Sequence, residues 1–278
     1  MARRALIIGA GFTGARAARM LLGDGWRVTA TTRTPSRLEG LRALGAEVRA
    51  FDAAGGGRLD VRADGATVLL SVPTLRSEGA LDEPTPRILA GLRGQPEHVT
   101  YLSTTGVYGA TKLVDETTAP APETERQRLR RRAEKAVLAL PCPALVLRPA
   151  AIYGPHRGVH AAMRAGRFRL ARGGRRFVSR IHVEDLAGIA AAAMTQKLVG
   201  VFPVADDLAA TSRDVALFCS DLLGVAPPPE VPNRKLGETR LSDRRVDGRA
   251  VRRRLGVRLR HPTYREGIRA SIAAEQEA

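Results

Sequence analysis

The chain is poor in the residues that mark secreted, metal-binding or base-stacking proteins. Only two of its 278 residues are cysteine. Cys142 and Cys219 are too few for a disulfide framework, and no Cys/His cluster at metal-ligand spacing accompanies them, so a metal-free, cytoplasmic protein is the expectation. Aromatic residues make up 4% of the chain, with a single Trp, which leaves few platforms for stacking single-stranded bases. Apolar runs are short. Ala5 to Ile8 and Ile189 to Met194 fall far below the roughly 20 residues that span a bilayer, so no membrane role is expected. The opening Met1-Ala2-Arg3-Arg4 and its apolar run break too early, at Gly9-Ala10-Gly11, for a signal peptide.

Lysine is scarce as well. Lys112, Lys135, Lys197 and Lys235 are the only four, so the net charge of +17 is almost entirely arginine. Residues 1–150 carry 22 basic and 15 acidic side chains and the remainder 23 and 13, so neither half is a dedicated basic tail. An arginine-, alanine- and glycine-rich composition fits coding bias as well as it fits a binding surface, and a small-molecule partner is expected ahead of nucleic acid.

What is present is an alternation. Ala5-Leu6-Ile7-Ile8 reads as a strand buried on both faces, Ala15 to Leu22 as a helix stopped at Gly23, and Val28 to Thr32 as a β-branched second strand. Strands at Glu47 to Phe51, Thr67 to Ser71, Val99 to Ser103 and Ala144 to Leu147 alternate with helices at Ser36 to Leu44, Ile88 to Leu92 and Glu123 to Leu140. This order predicts an α/β fold, a doubly wound parallel Rossmann sheet. After Pro149 the texture becomes rich in Gly and Arg, and Pro227-Pro228-Pro229 marks an extended segment. The expected division is a dinucleotide-binding domain over 1–153 and a smaller C-terminal substrate lobe over 154–278, with 181–204 packing back on the first.

Between the first strand and first helix stands Gly9-Ala10-Gly11-Phe12-Thr13-Gly14. A G-x-G-x-x-G in a strand–turn–helix context is a dinucleotide fingerprint. Gly9 permits the turn, Gly11 clears the approach of a pyrophosphate, and Gly14 lets helix and strand pack closely, while the helix N-terminus offers free N–H groups to phosphate. Phe12 and Thr13 belong to the same loop, and Ser71, Ser103 and Pro149 end strands beside it. The second strand ends in Thr31-Thr32-Arg33, without the carboxylate that would bond the ribose 2′-hydroxyl of NAD. Arg33 and Arg37 suit a 2′-phosphate, so NADP(H) is expected over NAD(H).

Several segments together resemble the short-chain dehydrogenase/reductase superfamily, in its extended, epimerase/dehydratase-like branch. They are the glycine loop, Ser103-Thr104-Thr105-Gly106-Val107-Tyr108-Gly109, Leu147-Arg148-Pro149 through Ile152-Tyr153-Gly154-Pro155, Ile181-His182-Val183-Glu184-Asp185, and Arg260-His261-Pro262-Thr263-Tyr264. The resemblance implies a Rossmann fold, a nicotinamide cofactor near Pro149, and Thr104 at the position of the catalytic Ser or Thr. It also implies a Tyr and a Lys four residues apart on the long helix, followed by a Glu. With Glu134 as that Glu, the two positions hold Arg126 and Arg130. Arginine does not exchange protons near neutral pH, so the family's acid/base chemistry does not carry over.

Candidate replacements are Thr104, Tyr108, Tyr153 and His156, each against a plain packing or surface role. Arg126 and Arg130 share a helix face and suit an anionic substrate or the cofactor itself, unless the arginine-rich run is a solvated face. His182 and Asp185 are expected to be structural. The expected function is an atypical oxidoreductase or epimerase acting on a small polar or anionic substrate. The alternative is a non-catalytic redox sensor that binds the same cofactor.

Overall fold

The computed structural model describes residues 3–55, 59, 61–77, 79–171, 173–233 and 242–277. Lys235 lies outside them. Seven strands form one all-parallel sheet: β1 (Arg4–Ile8), β2 (Arg27–Thr32), β3 (Glu47–Ala50), β4 (Ala66–Leu70), β5 (His98–Leu102), β6 (Ala144–Pro149) and β7 (Gly200–Val204). Their order is β7-β6-β5-β4-β1-β2-β3. The chain runs outward in one direction from β1 to β3 and in the other from β4 to β7. The switch point lies between β1 and β4, where open α/β sheets bind ligands at the carboxyl ends of their strands.

The central strands β4, β5 and β6 are buried along their whole length because both faces are covered, whereas the edge strand β3 is mostly exposed. On β1, Ala5 and Ile7 enter one core with Ala17, Leu21, Leu186 and Ala190, while Leu6 and Ile8 enter the other with Val68, Tyr101, Ala133 and Val137. Leu6, Ile7 and Ile8 are all but fully enclosed, each contributing roughly 1.5–3 kcal/mol by burial. Helices α1 (Gly14–Gly23) and α6 (Val183–Gln196) pack together on the first face. Helices α3 (Thr85–Gly91) and α4 (Glu125–Leu138) cover the second; α2 (Glu39–Ala43) follows β2. A capping box, Thr124 with Gln127, starts α4, so its first-turn N–H groups are satisfied from within.

The C-terminal portion adds α5 (Val159–Arg164), α7 (Ser212–Leu223), α8 (Arg249–Leu255) and α9 (Tyr264–Gln276), with a separate apolar cluster built on Tyr153, Met163, Val215, Cys219, Tyr264 and Ile268. α6 and β7 join the main sheet and its core, while short strand pairs, such as Ala151–Tyr153 with Arg180–His182, link the rest to the cleft rim. Among the described residues no helix is long and apolar enough to cross a membrane.

Candidate active site

A cleft of about 630 Å³ opens at the switch point, floored by the glycine loop and walled by the ends of β2, β4, β5 and β6. Each glycine has a different reason to be there. At Gly9 the backbone has φ +89°, and a Cβ would stand 3.0 Å from the Ser71 carbonyl carbon, so the turn excludes side chains. At Gly14 a Cβ would meet the Gly9 carbonyl oxygen at 2.5 Å. At Gly11 it would meet nothing within 4 Å. The space above Gly11 is therefore left for something other than protein. The N–H groups of Phe12 and Thr13 make no backbone hydrogen bond among the described residues, and α1 has no acidic residue in its first turn. Open space, free amides and a helix N-terminus fit a dinucleotide pyrophosphate.

Ser71, Ser103 and Pro149 line the cleft where the sequence puts them. Ser103 is buried, and its hydroxyl donates to Glu134 Oε1 at 2.6 Å. Glu134 is fully enclosed and gripped by Arg148 (2.9 and 2.8 Å) and Arg131 (2.9 Å). The Ser103 oxygen is thus turned into an acceptor facing the cleft.

Arg126 and Arg130 lie one turn apart on α4, yet the fold treats them oppositely. Arg130 is 5% exposed. Its guanidinium pairs with Glu83 at 2.9 Å, donates to the carbonyls of Val72 (3.2 Å) and Leu102, and lies 4.8 Å from the Tyr101 ring centre. Glu83 in turn accepts from Thr74 at 2.8 Å and Thr85 at 2.6 Å. Arg130 therefore ties the ends of β4 and β5 together beside the cleft. Arg126 is exposed and has no carboxylate or carbonyl partner among the described residues.

Arg126 faces a second cavity of about 950 Å³ that continues the first and shares Pro73, Ser103, Arg130, Pro149, Ile152 and Arg157 with it. This cavity is basic. Lys112 pairs there with Asp243 at 3.6 Å, and Arg244 is buried with all its reach spent on the carbonyls of Thr105, Gly109 and Thr111. Thr104 lines this cavity too, its Oγ1 accepting from the Gly106 N–H at 3.0 Å, which leaves its own proton free to donate.

The other candidates fall elsewhere. Tyr108 is 1% exposed, under the Arg148 guanidinium, and burial raises its pKa. Tyr153 is enclosed against α9, its hydroxyl donating to the Thr263 carbonyl at 3.4 Å, with burial again raising its pKa. His156 sits on the outer face of its loop, where its backbone N–H donates to Glu275. Among the described residues no His, Tyr or Cys lines either cavity. One Tyr-x-x-x-Lys spacing does occur, Tyr108 to Lys112, but in the turn after β5. The turn buries the phenol and leaves Lys112 with Asp243, so the two do not act as a pair on a helix face.

His182, Asp185 and His261 place ligand atoms within 4.8 Å of one another. Their chemistry is already used. Asp185 accepts from the N–H groups of Arg260 (2.6 Å) and His261 (3.1 Å), and His182 bonds the Glu184 N–H and the Ser271 hydroxyl. Burial pushes the His182 pKa down to about 3. The cluster latches the approach to α9 onto α6.

Two residues at the cleft escaped the sequence reading. Asp52 follows β3 and stands on the same wall as Arg33 and Arg37. Arg157, in an irregular Gly/Pro stretch, reaches both cavities. Neither belongs to a spacing pattern, and only the fold brings them to the cleft.

The geometry agrees with the comparisons. A conserved protein of unknown function from Silicibacter pomeroyi DSS is 34% identical, with 98% of this chain and 99% of that one aligned at a TM-score of 0.81. MoeE5, solved with UDP-glucose and NAD, is 21% identical over 99% of both chains at a TM-score of 0.79. The chain belongs to one family with the Silicibacter protein, and its fold is that of the NAD-dependent epimerase/dehydratase branch of the extended short-chain dehydrogenase/reductase superfamily. UDP-glucuronic acid 4-epimerase from Bacillus cereus, solved with NAD, shares this short-chain dehydrogenase fold at 16% identity, 99% coverage of both chains and a TM-score of 0.78. A 3-diazoavenalumate denitrifying reductase from a Streptomyces species is 31% identical over 149 residues, so the match spans about half of this chain and about half the length of that curated relative, 49% of each. No family model matches.

These relatives correct the expected preference for NADP(H). The similar short-chain dehydrogenase structures captured with a nicotinamide cofactor hold NAD. The expectation rested on the missing carboxylate at the end of β2, yet Asp52, in the segment after β3, puts a carboxylate into the lining of the same cleft. Arg33 and Arg37 are exposed, and an exposed arginine in an arginine-rich chain does not by itself select a phosphate.

Proposed function

We propose that this chain is an NAD(H)-dependent oxidoreductase that transfers a hydride to or from a small anionic substrate held in the second cavity. The observation that carries the reading is the junction of the two cavities at Pro149 and Ser103: a pyrophosphate cradle on one side, an unpartnered guanidinium, Arg126, on the other. Bound in the cleft, the dinucleotide supplies or accepts the hydride. The chain's own groups bind and orient. The Phe12 and Thr13 amides would hold the pyrophosphate, the Ser103 oxygen would accept from a cofactor hydroxyl or amide, and Arg126 would fix the substrate anion.

In the reductive direction, the electron pair displaced by the hydride moves onto a substrate oxygen, where Arg126 and the Thr104 hydroxyl meet the new charge. The proton that completes the product comes from solvent, since neither cavity offers an imidazole, phenol or thiol. Oxidation of an alcohol and epimerisation both need a base to take a hydroxyl proton, and the carboxylates of the second cavity are engaged, Glu123 by the Ala110 N–H and Asp243 by Lys112, so the lining favours the reductive direction. The partial likeness to a reductase supports the same choice.

The test is NADH oxidation across a panel of small carboxylates, phosphates and sugar nucleotides. The expected result is turnover with at least one anionic compound and a KM raised about tenfold or more by Arg126→Ala, the scale of a lost charged hydrogen bond. NADH that binds tightly and is oxidised by none of them favours the redox-sensor reading, which the missing helix dyad also fits.

A further inference from the structure

The loop that follows β6 carries the least expected group in the cleft. Arg157 is exposed, has no carboxylate partner among the described residues and lines both cavities. Its position is nevertheless fixed. Gly154 and Arg157 exchange two backbone hydrogen bonds, each 2.9 Å, and the intervening His156 adopts φ 61° while its N–H is held by Glu275 of α9.

The side chain has a seat on the cofactor loop itself. The guanidinium carbon of Arg157 lies 5.1 Å from the centre of the Phe12 ring, and that of Arg16 lies 4.6 Å from the same ring. Arg16 is fully engaged, with Glu184 at 2.6 Å and the Phe12 carbonyl at 2.7 Å. A Cβ at Gly154 would stand 3.1 Å from the tip of the Phe12 ring, so the absence of a side chain there lets the ring lie flat beneath the loop. Phe12 is thus a shelf between a spent arginine and an unspent one. The N–H of Phe12 makes no backbone hydrogen bond among the described residues.

We infer that Arg157, delivered from the C-terminal portion and seated on Phe12, is a ligand of the cofactor's pyrophosphate that closes the cleft over the glycine loop. This rests on the dinucleotide reading of the cleft. The charge is complementary, the shelf orients the planar guanidinium by a cation–π contact, and a planar fork suits two phosphate oxygens.

The test is calorimetric titration of the full chain with NAD⁺, ADP-ribose and AMP. Arg157→Ala is expected to weaken NAD⁺ and ADP-ribose by roughly tenfold, the loss of a charge-assisted pair, and to leave AMP, which lacks the bridging phosphate, within about twofold. Arg157→Lys recovers only part of the loss, because a lysine neither stacks flat on Phe12 nor forks. Phe12→Leu weakens NAD⁺ by a few-fold in the wild type and by nothing further in the Arg157→Ala background. Wild-type affinity for NAD⁺ and ADP-ribose in Arg157→Ala overturns the assignment while leaving the dinucleotide reading intact. If the wild type binds no nicotinamide dinucleotide at all, both fall.

Discussion

The two cavities that meet at Pro149 are built on different principles. The first is made of backbone: a glycine turn, free amides and the ends of parallel strands, with the few charged groups at its rim. The second is lined by side chains among which six cations outnumber two carboxylates, and each cation must either find a partner or wait for one. Arg130 and Arg126 show the contrast within a single helical turn. One is consumed by Glu83 and two carbonyls and holds the sheet ends in place; the other faces the cavity unpaired. At the two positions where the resemblance implies a proton-transferring pair, one arginine is a buried strut and the other an exposed side chain proposed to hold the substrate anion.

The division predicts opposite phenotypes. Arg130→Ala strands Glu83 inside the protein and should cost about 3–5 kcal/mol, lowering the midpoint of thermal unfolding by roughly 6–15 °C, whereas Arg126→Ala should change stability by less than about 0.5 kcal/mol and act only on substrate affinity. Equal stability loss in the two variants would erase the contrast. Smaller is the effect at Gly14, where Gly14→Ala forces a Cβ against the Gly9 carbonyl oxygen; a loss of about 1–3 kcal/mol is expected, measured by denaturant unfolding.

A third unpartnered group lies outside both cavities. Asp206 is buried, with Oδ2 lacking a partner among the described residues, and burial raises its pKa to about 8. Its folded pKa stands above the unfolded value near 4, so its contribution is intact below about pH 4 and is lost as pH rises to about 8. Asp206→Asn should therefore match the wild type near pH 4 and exceed it by about 1–3 kcal/mol at pH 8. A gain that is the same at both pH values would contradict the assignment. Smallest of all is the predicted pH effect on turnover. With no imidazole, phenol or thiol lining the site, kcat/KM should stay flat from pH 6 to 9, and a bell-shaped profile would point to an acid or base outside these walls.

The backbone-built cavity was the legible one. Ala5 to Ile8 followed by Gly9-Ala10-Gly11-Phe12-Thr13-Gly14 carries its structure in local order, because a buried parallel strand and a tight turn constrain consecutive residues. The strand positions as far as β6 followed from the same alternation, whereas β7 was not read as a strand. The side-chain-built cavity was not legible, since its partners are set by topology. Nothing local to Arg130 announces Glu83, which α4 meets only after the chain has crossed to β5 and back, and nothing in Gly154-Pro155-His156-Arg157-Gly158 shows that Arg157 lands on Phe12. Asp52 taught the same lesson in reverse: a carboxylate absent from the end of β2 was present beside it in space.

The central claim is that the space above Gly11 is a dinucleotide site, and titration of NAD⁺ into the wild type and Gly11→Val tests it most directly. Because a Cβ there meets no protein atom within 4 Å, the variant should fold with an unchanged unfolding midpoint while losing at least tenfold in NAD⁺ affinity. Saturable binding of one NAD⁺ per chain in the wild type, abolished or weakened in the variant, is the predicted result; no binding in the wild type, or equal binding in both, would contradict it.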